Sequence, residues 1–233
     1  MSVVRYTRRL EEKNILNQKN VGHTIVSYMA NVLAVLIMLY IGLKYINSQN
    51  STSVGYASYA MILIVFGTIG FFSVDYFDNG EINIIPKTWK EFDKTNFLIL
   101  MFTLLMLSML IDYFLKATIR FALLGIDLFL YYVFAGICEE AFYRAFLINF
   151  IIRLFTKHGD RPKIRTLIFS VLISSFIFMM SHLAVYGSNI PMFLSTFVGG
   201  LLLGGFYIIF RDIGANMISH AVKNAIGYAN KFR

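Results

Sequence analysis

Between Leu128 and Ile152 the chain reads LFLYYVFAGICEEAFYRAFLINFII. The run is long enough to cross a bilayer as a helix. Within it, CEEAFYRAF (138–146) carries three charges, Glu139, Glu140 and Arg144. An ionisable side chain in the middle of a span costs roughly 3 kcal/mol on insertion scales. Such residues therefore face a bundle interior and find partners. Glu140 and Arg144 stand four apart, so they share a helix face and can pair. Glu139 and Tyr143 repeat that interval on a neighbouring face.

The rest of the chain sets this run in a membrane. Of 233 residues, 58% are hydrophobic and only 15% charged. Mean hydropathy is +0.66. Soluble domains are less apolar and more charged, so the class is an all-α, polytopic transmembrane helical bundle. The net charge of +8 does not point to nucleic acid. Its basic residues cluster in short segments beside apolar runs, the pattern of cytoplasmic loops. The single cysteine, Cys138, excludes an internal disulfide and a four-cysteine metal site. It reads as a small buried hydrophobe.

Seven spans are expected, at about 25–46, 58–76, 97–115, 124–152, 166–186, 192–210 and 213–229. An eighth span or a re-entrant piece near 116–123 stays open. The first 20 residues, MSVVRYTRRLEEKNILNQKN, lack the apolar core of a cleaved signal. Residues 1–24 are thus expected to be a basic cytoplasmic segment. Residues 25–96 form a two-span region with a basic loop, in which Trp89 suits an interface, and residues 97–233 form the main membrane core. The basic tail, the Lys87 loop and the Arg153–Arg165 loop alternate correctly with the N-terminus in the cytoplasm.

Other polar residues fall inside these spans: His182 in the fifth, and His220, Lys223 and Asn224 in the seventh. At about 1.5 Å per helical residue, Glu139 lies roughly 20 Å from Arg153, His182 roughly 25 Å from Arg165, and His220 roughly 13 Å from Arg211. One acid and two imidazoles from three helices can therefore meet in one polar cavity. A shielded carboxylate can act as general base and then acid. A histidine and an Asn amide can donate to an oxyanion. The set can activate water for peptide hydrolysis, and an arginine beside one of two glutamates separates their roles. Glu139, His182 and His220 are also a possible zinc set; the pattern HExxH is absent from the chain. No cofactor is favoured.

At these residues the sequence resembles a known family. EEAFYR (139–144) matches EExxxR, FMMSH (178–182) matches FxxxH, and HAVKN (220–224) matches HxxxN. Their order resembles the type II CAAX prenyl endopeptidases, also called the CPBP or abortive-infection intramembrane proteases, over about residues 97–229. The resemblance implies an intramembrane endopeptidase in which Glu139 activates water and His182 assists. It gives His220 and Asn224 the oxyanion hole, and Glu140 and Arg144 the ordering of the site. It implies a multi-pass protein of a prokaryotic cell membrane, with the bilayer and a peptide or protein substrate as partners. Prenylated CAAX-type substrates are one option beside other membrane-associated peptides.

The remaining features have plainer readings. Phe178 reads as packing, and Lys223 as snorkelling or pairing with an acid. Asp112 and Asp127 read as interfacial, His23 and His158 as solvated. Gly200 and Gly204 read as a close helix-packing device. Two other functions compete with hydrolysis: a proton-coupled membrane carrier, and a non-enzymatic immunity-type membrane protein of the same fold. Against a carrier, the chain shows no inverted repeat.

Overall fold

The computed structural model describes residues 29–49, 51–77, 94–116, 125–156, 162–186, 188–210 and 213–229. The described residues are helical apart from short connecting residues. In chain order they form α1 (Met29–Tyr45), α2 (Ser51–Phe77), α3 (Lys94–Phe114) and α4 (Ile126–Glu140). A π-helical segment (Ala141–Ile148) and α5 (Asn149–Phe155) continue α4. Then come α6 (Ile164–Ser181), the single turn α7 (Leu183–Tyr186), α8 (Ile190–Phe210) and α9 (Ile213–Ala229). Windows of α2 (Ser53–Gly70), α6 and α8 are long and apolar enough to cross a membrane; Met29–Tyr45 and Leu98–Phe114 are shorter apolar stretches. The expectations on residues 1–24, the Lys87–Lys90 stretch, Trp89, Arg120, His158, Arg211 and Asp212 lie outside the described residues.

Burial in this bundle is inverted relative to a soluble protein. Leu36, Leu98, Ile168, Phe176, Leu194 and Ile209 face outward. Asn31, Glu139, Glu140, Arg144, Asn149 and Asn216 are buried. Lipid tolerates the first set, while the polar groups can be satisfied only by one another. Asn149 Nδ2 donates to Tyr207 Oη at 2.8 Å, and Ser174 Oγ donates to the Tyr143 carbonyl at 2.7 Å.

The rod running from α4 through the π segment to α5 is the axis of the fold. On one side Tyr131, Ala135 and Cys138 pack with Ala34, Met38 and Ile41 of α1 and Ala60 and Leu63 of α2. Further along, Ala141, Ala145, Ile148 and Ile152 pack with Tyr207 of α8 and Ile213 and Met217 of α9. Gly125, at φ 125°, starts α4 in a conformation that L side chains rarely adopt. Gly136 lets α9 come close: a Cβ there would lie 3.2 Å from His220 Cγ and 3.3 Å from the Ala221 nitrogen. The packing role of Gly200 and Gly204 holds. A Cβ on Gly200 would stand 3.0 Å from Ser175 Cβ, and one on Gly204 2.9 Å from Val171 Cγ1.

Three helix bounds differ from the sequence expectation. The second helix starts at Ser51, so the last three residues of the expected loop NSQNSTS are its first turn. Pro191, expected in a turn, lies in the first turn of α8, where no helical N–H is needed. The fifth span is not one helix to Tyr186 but breaks at His182. The Phe178 carbonyl, which a continuing α-helix would give to the His182 N–H, faces Ser181 Oγ at 2.7 Å and His182 Nδ1 at 2.8 Å. The His182 N–H turns to the Met179 carbonyl instead, at 3.1 Å. Local side-chain bonding of this kind competes with the helical ladder.

Candidate active site

The break after α6 swings His182 toward α4, and the close approach at Gly136 brings His220 there from α9. Glu139 lies between them. Its Oε1 is 3.8 Å from His182 Nε2, and its Oε2 is 3.6 Å from His220 Nε2. The three expected residues thus come together, each histidine on a different carboxylate oxygen. Glu139 is 4% exposed, so that the carboxylate is nearly dry but still lines a cavity of about 590 Å³. His182, His220, Asn224 and Phe178 line the same cavity.

Each ring is fixed from behind. His182 Nδ1 sits 2.8 Å from the Phe178 carbonyl, an acceptor, which places the proton on Nδ1. The ring also stacks on Tyr186, with centroids 5.1 Å apart. His220 Nδ1 sits 2.9 Å from Glu140 Oε1. Both histidines therefore turn Nε2 toward Glu139. A carboxylate or carbonyl behind an imidazole sets tautomer and orientation in this way.

Glu140 is fully buried and serves three partners at once. Its Oε1 also meets Arg144 Nη1 at 3.0 Å, the expected i,i+4 pair. Its Oε2 accepts a longer bond, 3.4 Å, from Asn216 Nδ2, which also donates to the Leu203 carbonyl at 2.8 Å. The Arg144 guanidinium lies over the Phe178 ring, 4.6 Å from its centroid, so Phe178 does more than fill space. Two adjacent glutamates thus have separate surroundings. Glu139 faces the cavity and two imidazoles; Glu140 faces a cation and the back of one imidazole.

Asn224 lines the cavity one turn beyond His220, with Nδ2 donating to the Tyr132 carbonyl at 2.9 Å. One amide N–H is used there, and a second belongs to the same nitrogen. Among the described residues, no group of three or more His, Cys, Asp or Glu is arranged to hold a metal ion.

Two contributors were missed by the sequence reading. Tyr59 of α2 donates its hydroxyl to Glu139 Oε1 at 3.0 Å. Nothing in its surroundings, SYAMIL, marks it out. Asp112, expected at an interface, instead lines the cavity and accepts from Ser195 Oγ and Lys223 Nζ. The pairing expected of Lys223 with an acid is this contact. Asp127 pairs with Lys44 at 2.6 Å and accepts from Tyr45 Oη at 2.6 Å.

Fold and site together define a helical integral membrane protein with a glutamate and two histidines converging on a buried cavity. Residues 119–226, which hold all three motifs, match the family described as type II CAAX prenyl endopeptidase Rce1-like. The match is shorter than the expected 97–229. No curated protein and no solved structure matches the chain.

Proposed function

We propose that this protein is an intramembrane endopeptidase that hydrolyses peptide bonds with a water activated by Glu139. The observation that carries the reading is the placement of Glu139, Oε1 and Oε2 facing Nε2 of two histidines from separate helices on one cavity wall. A water lodged among these atoms can donate to the Glu139 carboxylate and to His182 Nε2. Glu139 takes its proton as the water attacks the carbonyl, then returns it to the leaving amine. His182 holds the water from the Oε1 side.

His220 and Asn224 are the oxyanion donors. With protons on both ring nitrogens, His220 offers Nε2–H to the developing charge, and the Glu140 carboxylate behind it balances the imidazolium. Arg144 keeps Glu140 in place. The second amide N–H of Asn224 completes the pair. Preorganised donors of this kind contribute the larger part of many rate enhancements. No metal or other cofactor enters this scheme.

The proposed substrate is a membrane-associated peptide or protein, with prenylated CAAX-type C-termini as one class. The proposed topology is seven spans with the N-terminus cytoplasmic. Residues 1–24 are the basic segment, 25–96 the two-span region and 97–233 the catalytic core, in a prokaryotic cell membrane.

Purified protein in detergent, given fluorogenic peptides with and without a farnesyl cysteine, tests the reading. Wild type should cleave, and Glu139→Gln should lose about 10²–10⁴-fold in kcat. A strong chelator should leave wild-type turnover unchanged. Cleavage by Glu139→Gln at the wild-type rate would overturn the assignment. Loss with chelator and rescue by zinc would move Glu139, His182 and His220 to metal ligands.

A further inference from the structure

The cavity holds a second charged cluster that the proposed reaction does not use. Lys223 follows His220 by three residues on α9, a rise of roughly 4.5 Å, and lines the same cavity. Its Nζ is 3.1 Å from Asp112 Oδ2 and 3.3 Å from Oδ1. Ser195 Oγ of α8 donates to Asp112 Oδ1. Three helices, α3, α8 and α9, thus build one ammonium–carboxylate–hydroxyl cluster into the wall.

Two observations separate it from a structural ion pair. The Glu140–Arg144 pair, which supports the fold, is closed off, with side chains 0% and 1% exposed. The Lys223 and Asp112 side chains are 26% and 29% exposed, open to the space they line. An ammonium has three N–H donors. The two oxygens of Asp112 engage at most two of them, leaving donor capacity toward the cavity. Met192 and Leu203 add apolar side chains to the lining of the same cavity. Glu139 adds the opposite sign at the reacting end, and repels a carboxylate from there.

We propose that Lys223, held by Asp112 and Ser195, is a subsite for a carboxylate of the substrate, about one helical turn from the reacting carbonyl. This rests on the peptidase reading and narrows it to substrates that carry an anion close to the scissile bond. The carboxylate is either the free chain terminus or an acidic side chain; the chemistry is the same. Asp112 has a defined part in the empty site. It compensates the ammonium, whose charge would otherwise stand alone within the bundle.

Binding to the full-length Glu139→Gln protein tests this without requiring turnover. The probes are fluorescein-labelled nonapeptides of one sequence, with a C-terminal acid or amide, and with Glu or Gln near the C-terminus. At least one acidic form should bind about tenfold tighter than its neutral counterpart, as for a hydrogen bond to a charged group. The acid–amide comparison reads the terminus and the Glu–Gln comparison the side chain. Asp112→Asn with Lys223→Met removes both charges together, so no lone charge is stranded, and should abolish the preference. Lys223→Arg should keep it. Equal binding of acidic and neutral peptides, no binding of any of them, or a preference that survives the neutral double variant would overturn the subsite. Wild-type cleavage is measured alongside. A Lys223-dependent preference without cleavage would keep the subsite and remove the peptidase reading; cleavage without the preference would do the reverse.

Discussion

Glu139 and Glu140 are neighbours with opposite sensitivities. Changing Glu139 to Gln removes a base and leaves its neighbours little disturbed. Changing Glu140 to Gln removes the partner of a buried guanidinium and loosens the His220 ring. An uncompensated buried charge costs about 3–5 kcal/mol. Glu140→Gln should therefore lose stability as well as activity, read as a lower unfolding midpoint in detergent beside an unshifted Glu139→Gln. Equal midpoints would show that Arg144 finds another partner. Tyr59 gives a subtler case. Its hydroxyl occupies one side of Glu139 Oε1, fixing which lone pairs remain for water. Tyr59→Phe should lower kcat about tenfold, as one hydrogen bond to a charged group, with KM unchanged. A change in KM alone would make Tyr59 a packing residue. The charged members of the site were legible because charges inside apolar spans are rare. Tyr59 was not: it is one tyrosine of 14, on a helix without a motif, and only the fold shows where its hydroxyl ends.

Helices meet here where side chains vanish. Gly70 of α2 faces the start of the π segment, and a Cβ on it would stand 2.5 Å from Ala141 Cβ and 2.7 Å from the Ala141 carbonyl carbon. The second of these is backbone and cannot swing away. Gly70→Ala should destabilise by about 1–3 kcal/mol, as overpacking does, and should pull Tyr59 off Glu139. Thermal unfolding and turnover should both register it; an unchanged protein would mean that α2 can slide. The hydropathy pattern located most of these helices to within a few residues. It did not reveal the break at His182, because that break arises from Ser181 and His182 competing for one carbonyl. Nor did it reveal the π segment, since AFYRAFLI reads equally well as α-helix. The Glu140–His220 contact was hidden for a related reason. Spacing along one helix pairs Glu140 with Arg144, while partners on other helices depend on the packing.

For the whole molecule, the sequence conveyed the class and the convergence. Apolar runs of span length and three motifs within them were enough to expect Glu139, His182 and His220 at one cavity. The use of Asp112 and Lys223 as cavity wall was beyond its reach, because 111 residues separate the two. The proposed orientation in the bilayer has a direct test. Cys138 is buried, so that the chain offers a quiet background for cysteine labelling. Gln49→Cys, in the turn between α1 and α2, should react with an impermeant maleimide on intact cells. Lys163→Cys, just before α6, should react only after lysis. The reverse pattern would invert the topology.

The π-helical stretch implies one more property, and it concerns chain length. Each residue of an α-helix turns the chain by about 100°, and a wide turn holds a spare residue relative to that count. Deleting one residue between Ala141 and Ile148 would let the segment tighten to α geometry. Everything beyond would then keep nearly its present facing against everything before, with Glu139 against His220 and Asn149 on Tyr207. The same deletion within α4 would turn all that follows by a full step. The wide stretch is the place on the rod where a one-letter gap is best absorbed.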